Sequence, residues 1–204
     1  MIGHLNGGFT LIEMMVVVAV TAALLMLAAP AFTDLIKDNK LLSEVYALRA
    51  TLNNARSEAL AQRTPVIICS STDGEICAIG EFAVDWQEGY IAFVDADGDG
   101  VVDDPNDPDG DQVFIAKVMD SPSLDIKYID SGGTPINRLR FSSRGYAMDS
   151  NGTFAVCDDR GPKKARGVIV ASIGGVRAAV DLDPNDPDGA GIVNDHTGAN
   201  LACN

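Results

Sequence analysis

The stretch GGFTLIEMMVVVAV, Gly7 to Val20, sets one carboxylate, Glu13, at the head of an apolar run. From Met14 to Phe32 the only other polar side chain is Thr21. Those 19 residues are long enough, as a helix, to cross a hydrocarbon core of ~30 Å. A carboxylate taken into hydrocarbon costs about 2.5 kcal/mol or more unless something pairs with it. The position of Glu13 therefore asks for a partner.

A secretory signal peptide is one reading of this segment, with APA before Phe32 as a cleavage site after Ala31. Two features oppose it. The leader MIGHLNGG has no Lys or Arg, and it ends in Gly-Gly with a charged residue five positions further on. The segment Gly8 to Glu13, GFTLIE, followed by an apolar run containing Pro30, instead resembles the class III signal of type IV prepilins and pseudopilins. The resemblance implies cleavage between Gly8 and Phe9 by a prepilin peptidase and N-methylation of the new Phe9 amine. The helix then stays attached. The leader departs from the pattern in offering only His4 where such leaders carry Lys or Arg.

Cleavage would place a positive amine on Phe9, four residues from Glu13. In a bundle of such helices, the ammonium of one subunit can neutralise the carboxylate of its neighbour. An unpaired buried charge is costly, so the pair favours one axial register. Phe9 and Glu13 are thus expected to be assembly residues.

Beyond the apolar run, Leu41, Val45, Leu48, Leu52, Ala55 and Ala59 alternate at spacings of four and three, the stripe of an amphipathic helix. Thr64-Pro65 ends it, because a residue before proline avoids the α region. The expected helix, Phe9 to Arg63, would be roughly 80 Å long. The apolar runs after it shorten to strand length: VIICS, YIAFV, VFIAKV, LDIKYI, RLRFS, TFAVC, GVIVA and VRAAV. Several alternate at period two, and Gly, Pro, Asn and Asp separate them. Antiparallel sheets packed on the helix follow.

Three blocks extend the resemblance over most of the chain: LNNARSEALAQRTPVIIC at Leu52–Cys69, WQEGYIAFVDADGDG at Trp86–Gly100, and FAVCDDRG with GGVR at Phe154–Arg177. They resemble the GspH/FimT group of minor pseudopilins and minor type IV pilins. What this implies is an α+β, type IV pilin-like fold: a leader over 1–8, a helix over 9–63 with a transmembrane part near 14–32, and a two-sheet β domain over 64–204. It also implies a single-pass inner-membrane subunit with a periplasmic domain. Its partners would be the prepilin peptidase and other pilin or pseudopilin subunits, in a type II secretion pseudopilus or a type IV pilus.

The formal net charge of −14 falls almost wholly after Thr64, since the charges from Asp34 to Arg63 nearly cancel. Such a domain repels nucleic acid and anionic lipid at long range. Four cysteines after a membrane-type segment suggest an oxidising compartment. They allow three pairings; the expectation is Cys69–Cys77, closing a short loop, with Cys157–Cys203, tying down the C-terminus. No zinc-type spacing occurs.

Eight aspartates crowd the run from Asp95 to Asp111, DADGDGVVDDPNDPDGD. Asp95, Asp97, Asp99 and Asp103, with Gly100 and Val102, match the start of a calcium loop, but Asn106 stands where a bidentate Glu is expected. Calcium is thus a candidate ligand, and a plain solvated turn is the alternative; no cofactor is required. The heptapeptide DPNDPDG occurs at Asp104–Gly110 and again at Asp183–Gly189.

Basic residues cluster late in the chain, among them Arg160, Lys163, Lys164, Arg166 and Arg177. In FimT-like minor pilins a basic C-terminal strip is associated with DNA uptake. That strip carries a GRxR-type turn; here the turn reads Gly174-Gly175-Val176-Arg177 and lacks its first arginine, so DNA is not the expected partner. Neither His4 nor His196 stands in a Ser-His or Cys-His arrangement, and no phosphate-binding or nucleophile-elbow motif occurs. A non-enzymatic structural subunit is the expectation. The alternatives are a FimT-like DNA-binding minor pilin and a secreted, calcium-stabilised β protein cut after Ala31.

Overall fold

The computed structural model describes residues 9–78, 85–103, 110–119, 123–147, 149–182, 185 and 191–203, with backbone alone for 27–31. The leader, including Gly8, and nearly all of both DPNDPDG copies lie outside the described residues. The chain divides into two compact units, Met1–Asn39 and Lys40–Asn204.

The first unit is the N-terminal part of helix α1 (Leu11–Gln62). Its start is a capping box: the Glu13 amide donates to Thr10 Oγ1 at 3.3 Å, and the Thr10 amide donates to Glu13 Oε2 at 3.4 Å. Apolar side chains point outward on every face, with Phe9, Leu11 and Met26 each 77% exposed or more. Among the described residues, no helix is long and apolar enough to cross a membrane; residues 27–31, inside the expected span, do not have described side chains.

In the second unit α1 is amphipathic, and the expected stripe is its buried face. Leu41, Val45, Leu48, Leu52, Ala55 and Ala59 are each at most 4% exposed. The helix stops at Gln62, where Arg63 takes a left-handed φ of 56° ahead of Thr64-Pro65.

Eight strands follow among the described residues: β1 (Val66–Ser70), β2 (Gly89–Val94), β3 (Gln112–Val118), β4 (Asp125–Asp130), β5 (Arg138–Phe141), β6 (Gly152–Cys157), β7 (Arg166–Val170) and β8 (Val176–Ala178). They form two antiparallel sheets, ordered β3-β2-β1-β5 and β4-β6-β7-β8. The chain leaves the first sheet for β4, returns for β5, and leaves again for β6. In β1 the register sets Val66 opposite Val94 on one side and Phe141 on the other.

The inner faces of both sheets join the helix stripe in one core, through Val66, Ile68 and Phe141 from one sheet and Tyr128, Phe154 and Val168 from the other. Trp86 fills its middle, edge-on to Phe154 at 4.9 Å, with its indole N–H donated to the Ile136 carbonyl at 2.9 Å.

Each sheet is also covered on its outer face. Ile67, Cys69, Ile91 and Phe93 pack under Val102 and Cys77, so the acidic loop and the short disulfide loop form a lid on the first sheet. Ala155, Cys157 and Ala165 pack under Ile192, Leu201 and Cys203 from the C-terminal segment. Disulfides Cys69–Cys77 and Cys157–Cys203 tie down these two covers. Burial on both faces explains why β1, β2 and β6 are continuous apolar runs.

Candidate functional site

Two regions carry chemistry that packing does not account for. One is the head of α1. Glu13 is exposed, and it is engaged in the capping box with Thr10. A carboxylate in the first helical turn also meets the positive end of the helix dipole. Phe9, 80% exposed, precedes it by four residues. The cleavage position at Gly8 lies outside the described residues.

The other region is the loop that leaves β2. Asp95 follows Val94 directly and is completely buried. Its amide donates to the Pro65 carbonyl at 2.9 Å, and its Oδ1 accepts the Gly100 amide at 3.0 Å. Gly98 and Gly100, at φ 85° and 79°, supply the left-handed backbone that turns the loop back over Asp95. Asp97 accepts the Asp99 amide at 3.0 Å, and Asp99 accepts the Val101 amide at 2.7 Å. Arg138 donates to the Gly100 carbonyl at 3.2 Å, fixing the turn against β5.

This folding gathers the carboxylates into two groups that share Asp97. Asp95, Asp97 and Asp99 bring one oxygen each within 4.8 Å of the others, and so do Asp97, Asp103 and Asp111. The four aspartates singled out from the motif thus belong to two overlapping groups, and Asp111 is an addition. Its sequence signal was only that it ends the acidic run. The structure brings it in because its Oδ1 accepts the Ala96 amide at 2.8 Å, closing the base of the loop. Burial raises the Asp111 pKa above the ordinary carboxylate value; the Ala96 amide opposes this, and the charges of Asp103, Asp95 and Asp97 add to it. Position twelve of the motif, Asn106, lies outside the described residues.

Arg140 Nη2 stands 3.5 Å from Asp95 Oδ2. The remaining basic residues do not act alike. Arg160 is tied to Asp158, with Nη2 to Oδ2 at 2.7 Å and Nε to Oδ2 at 2.9 Å. Arg166 donates to the Lys164 and Ala165 carbonyls. Lys163 and Lys164, on a single 3-10 turn, and Arg177, on β8, face solvent. His196 meets Thr153 Oγ1 through Nδ1 at 2.8 Å.

The family model described as "Type II transport protein GspH" matches residues 44–174, and the "Prokaryotic N-terminal methylation motif" matches residues 4–29. No curated protein matches the chain significantly. Two crystal forms of the type IV minor pilin FimU from Pseudomonas aeruginosa (strain PAO1) are similar at 22% identity. They cover 69% and 68% of this chain and 89% and 91% of theirs, with TM-scores of 0.47 and 0.45. Helix, two-sheet domain and methylation motif lead to one assignment: the chain belongs to the GspH family of type II transport proteins and is a pseudopilin- or pilin-type structural subunit.

Proposed function

We propose that the chain is a minor subunit of a type II secretion pseudopilus or a type IV pilus, working as a building block and not as an enzyme. The reaction in this reading is done to the chain: a prepilin peptidase cuts between Gly8 and Phe9, and the new amine is methylated. Residues 14–32 then hold the subunit in the inner membrane, with the β domain on the periplasmic side, until it is drawn into the fibre. There the Phe9 amine of one subunit neutralises Glu13 of another and sets the axial register.

The observation that carries the reading is the exposure of the N-terminal helix. Phe9, Leu11, Ile12, Met14, Val18 and Leu25 are all more than half exposed, on successive faces. A helix that is apolar all round is made to be covered, by lipid or by other helices. The methylation motif over these same residues supports the pilin-type solution.

The mass of the N-terminal peptide from native membranes tests this. The expected chain begins at N-methylated Phe9. A chain beginning at Phe32 would remove Glu13 from the mature protein, and the assembly mechanism would fall.

A further inference from the structure

We propose that the turn leaving β2 is a calcium site, with Asp95, Asp97 and Asp99 as its carboxylate ligands and Asp103 and Asp111 flanking it through Asp97. The inference does not depend on how the N-terminus is processed.

The acidic cluster alone would be compatible with a solvated turn. What distinguishes it is the state of its buried oxygens. Asp95 has no exposure, yet its Oδ2 accepts no hydrogen bond from the described residues. Arg140 contacts it at 3.5 Å, beyond a good N–H···O distance, through a side chain that is 49% exposed. Asp111 Oδ2, in the second group, is likewise closed to solvent and without a donor among the described residues. Buried carboxylate oxygens are ordinarily satisfied by hydrogen bonds, a paired charge or a metal. Here each carboxylate has one oxygen held by a backbone amide and the other left over.

The donor set selects the ion. All the ligands are hard carboxylate oxygens, with no His or Cys in either group, which suits calcium or magnesium over zinc and copper. Oxygens within 4.8 Å of one another lie about where ligands at 2.3–2.6 Å from one central ion would be. The irregular loop suits the flexible coordination of calcium better than the strict octahedron of magnesium. Asp97 and Asp99 are exposed and give the ion a way in. Without a bidentate Glu the site falls in the weak class typical of extracellular modules, with Kd about 10⁻⁴–10⁻³ M. The second group adds negative charge on the same side and strengthens the attraction.

The test is isothermal titration of the full chain in detergent with CaCl2 and with MgCl2, after EGTA treatment, alongside thermal melts. The expected result is calcium binding in the sub-millimolar to millimolar range, a Tm that rises with calcium, and a tenfold or greater loss of affinity in Asp97→Asn. Asp97 is exposed, so this variant leaves the core intact; Asp159→Asn, an exposed aspartate elsewhere, should bind as the parent does. No binding at 5 mM calcium, equal binding of magnesium, or unchanged affinity in Asp97→Asn would each overturn the proposal.

Discussion

The Lys117 ammonium lies 2.6 Å from both carboxylate oxygens of Glu44, joining β3 at the edge of its sheet to the helix beneath. Glu44 is the more buried partner, at 12% side-chain exposure against 31% for Lys117. Lys117 also sits 5.4 Å above the Tyr90 ring. Removing the lysine alone leaves a nearly buried carboxylate without its cation, which is costlier than losing the pair. Lys117→Met should therefore destabilise the β domain by about 1–2 kcal/mol, discounted from fully buried pairs because the lysine remains wet. Glu44→Gln with Lys117→Met should recover part of that loss. Urea midpoints of the two variants check the order.

The two disulfides close loops of different length, with sequence separations of 8 and 46. In the chain-entropy model they are worth roughly 2.6 and 4 kcal/mol. The longer one also holds Ile192 and Leu201 over the outer face of the second sheet. Cys157→Ala with Cys203→Ala should cost more than Cys69→Ala with Cys77→Ala. Only the first pair should speed amide exchange in β6 and β7. Denaturation midpoints with hydrogen exchange on the paired variants decide it.

Much of this fold is legible in the sequence because the local signals agree with one another. The stripe from Leu41 to Ala59 becomes the buried helix face, and each of the eight short apolar runs overlaps a strand. Sheet order is not legible. β5 passes over its sequence neighbour β4 to pair with β1, with Ile68 opposite Leu139, and nothing local to either strand encodes that partner. The acidic motif shows the same limit. Asp95, Asp97 and Asp99 are close in sequence and meet in space. Asp111 joins them only because the β2–β3 pairing returns the chain beside Ala96.

Asp73 sits in the Cys69–Cys77 loop and accepts the Glu75 amide at 2.8 Å and the Ile76 amide at 3.1 Å. The Glu75 amide first, then the Ile76 amide, hold its pKa below the ordinary 3.8. A lowered folded-state pKa means stability that is present above the unfolded value and is lost as pH falls through the folded one. The loop should thus loosen below about pH 3.8 and be indifferent to pH between 5 and 7. Asp73→Asn should flatten this acid limb while leaving the neutral-pH melt nearly unchanged. Melts at pH 3 and pH 6 on both chains measure it, the effect being small because Asp73 is largely exposed.

Glu13 has two roles that one substitution can separate. Its carboxylate caps its own helix through the Thr10 amide, and glutamine at this position of a capping box does the same without charge. The proposed pairing with a neighbour's Phe9 amine requires the charge. Glu13→Gln should therefore keep the helix start ordered and leave processing at Phe9 intact. Its incorporation into the sheared fibre fraction should nevertheless fall about tenfold or more, the equivalent of about 1.4 kcal/mol of register energy. Thr10→Val is the converse change: it loses the hydroxyl that accepts the Glu13 amide but keeps the charge, so the helix start should fray while assembly is largely retained. Quantitative blotting of membrane and fibre fractions reads assembly, and amide exchange over residues 10–16 reads the cap. If Glu13→Gln entered fibres as well as the parent, Glu13 would be a capping residue alone, and register would have to come from the apolar side chains of α1.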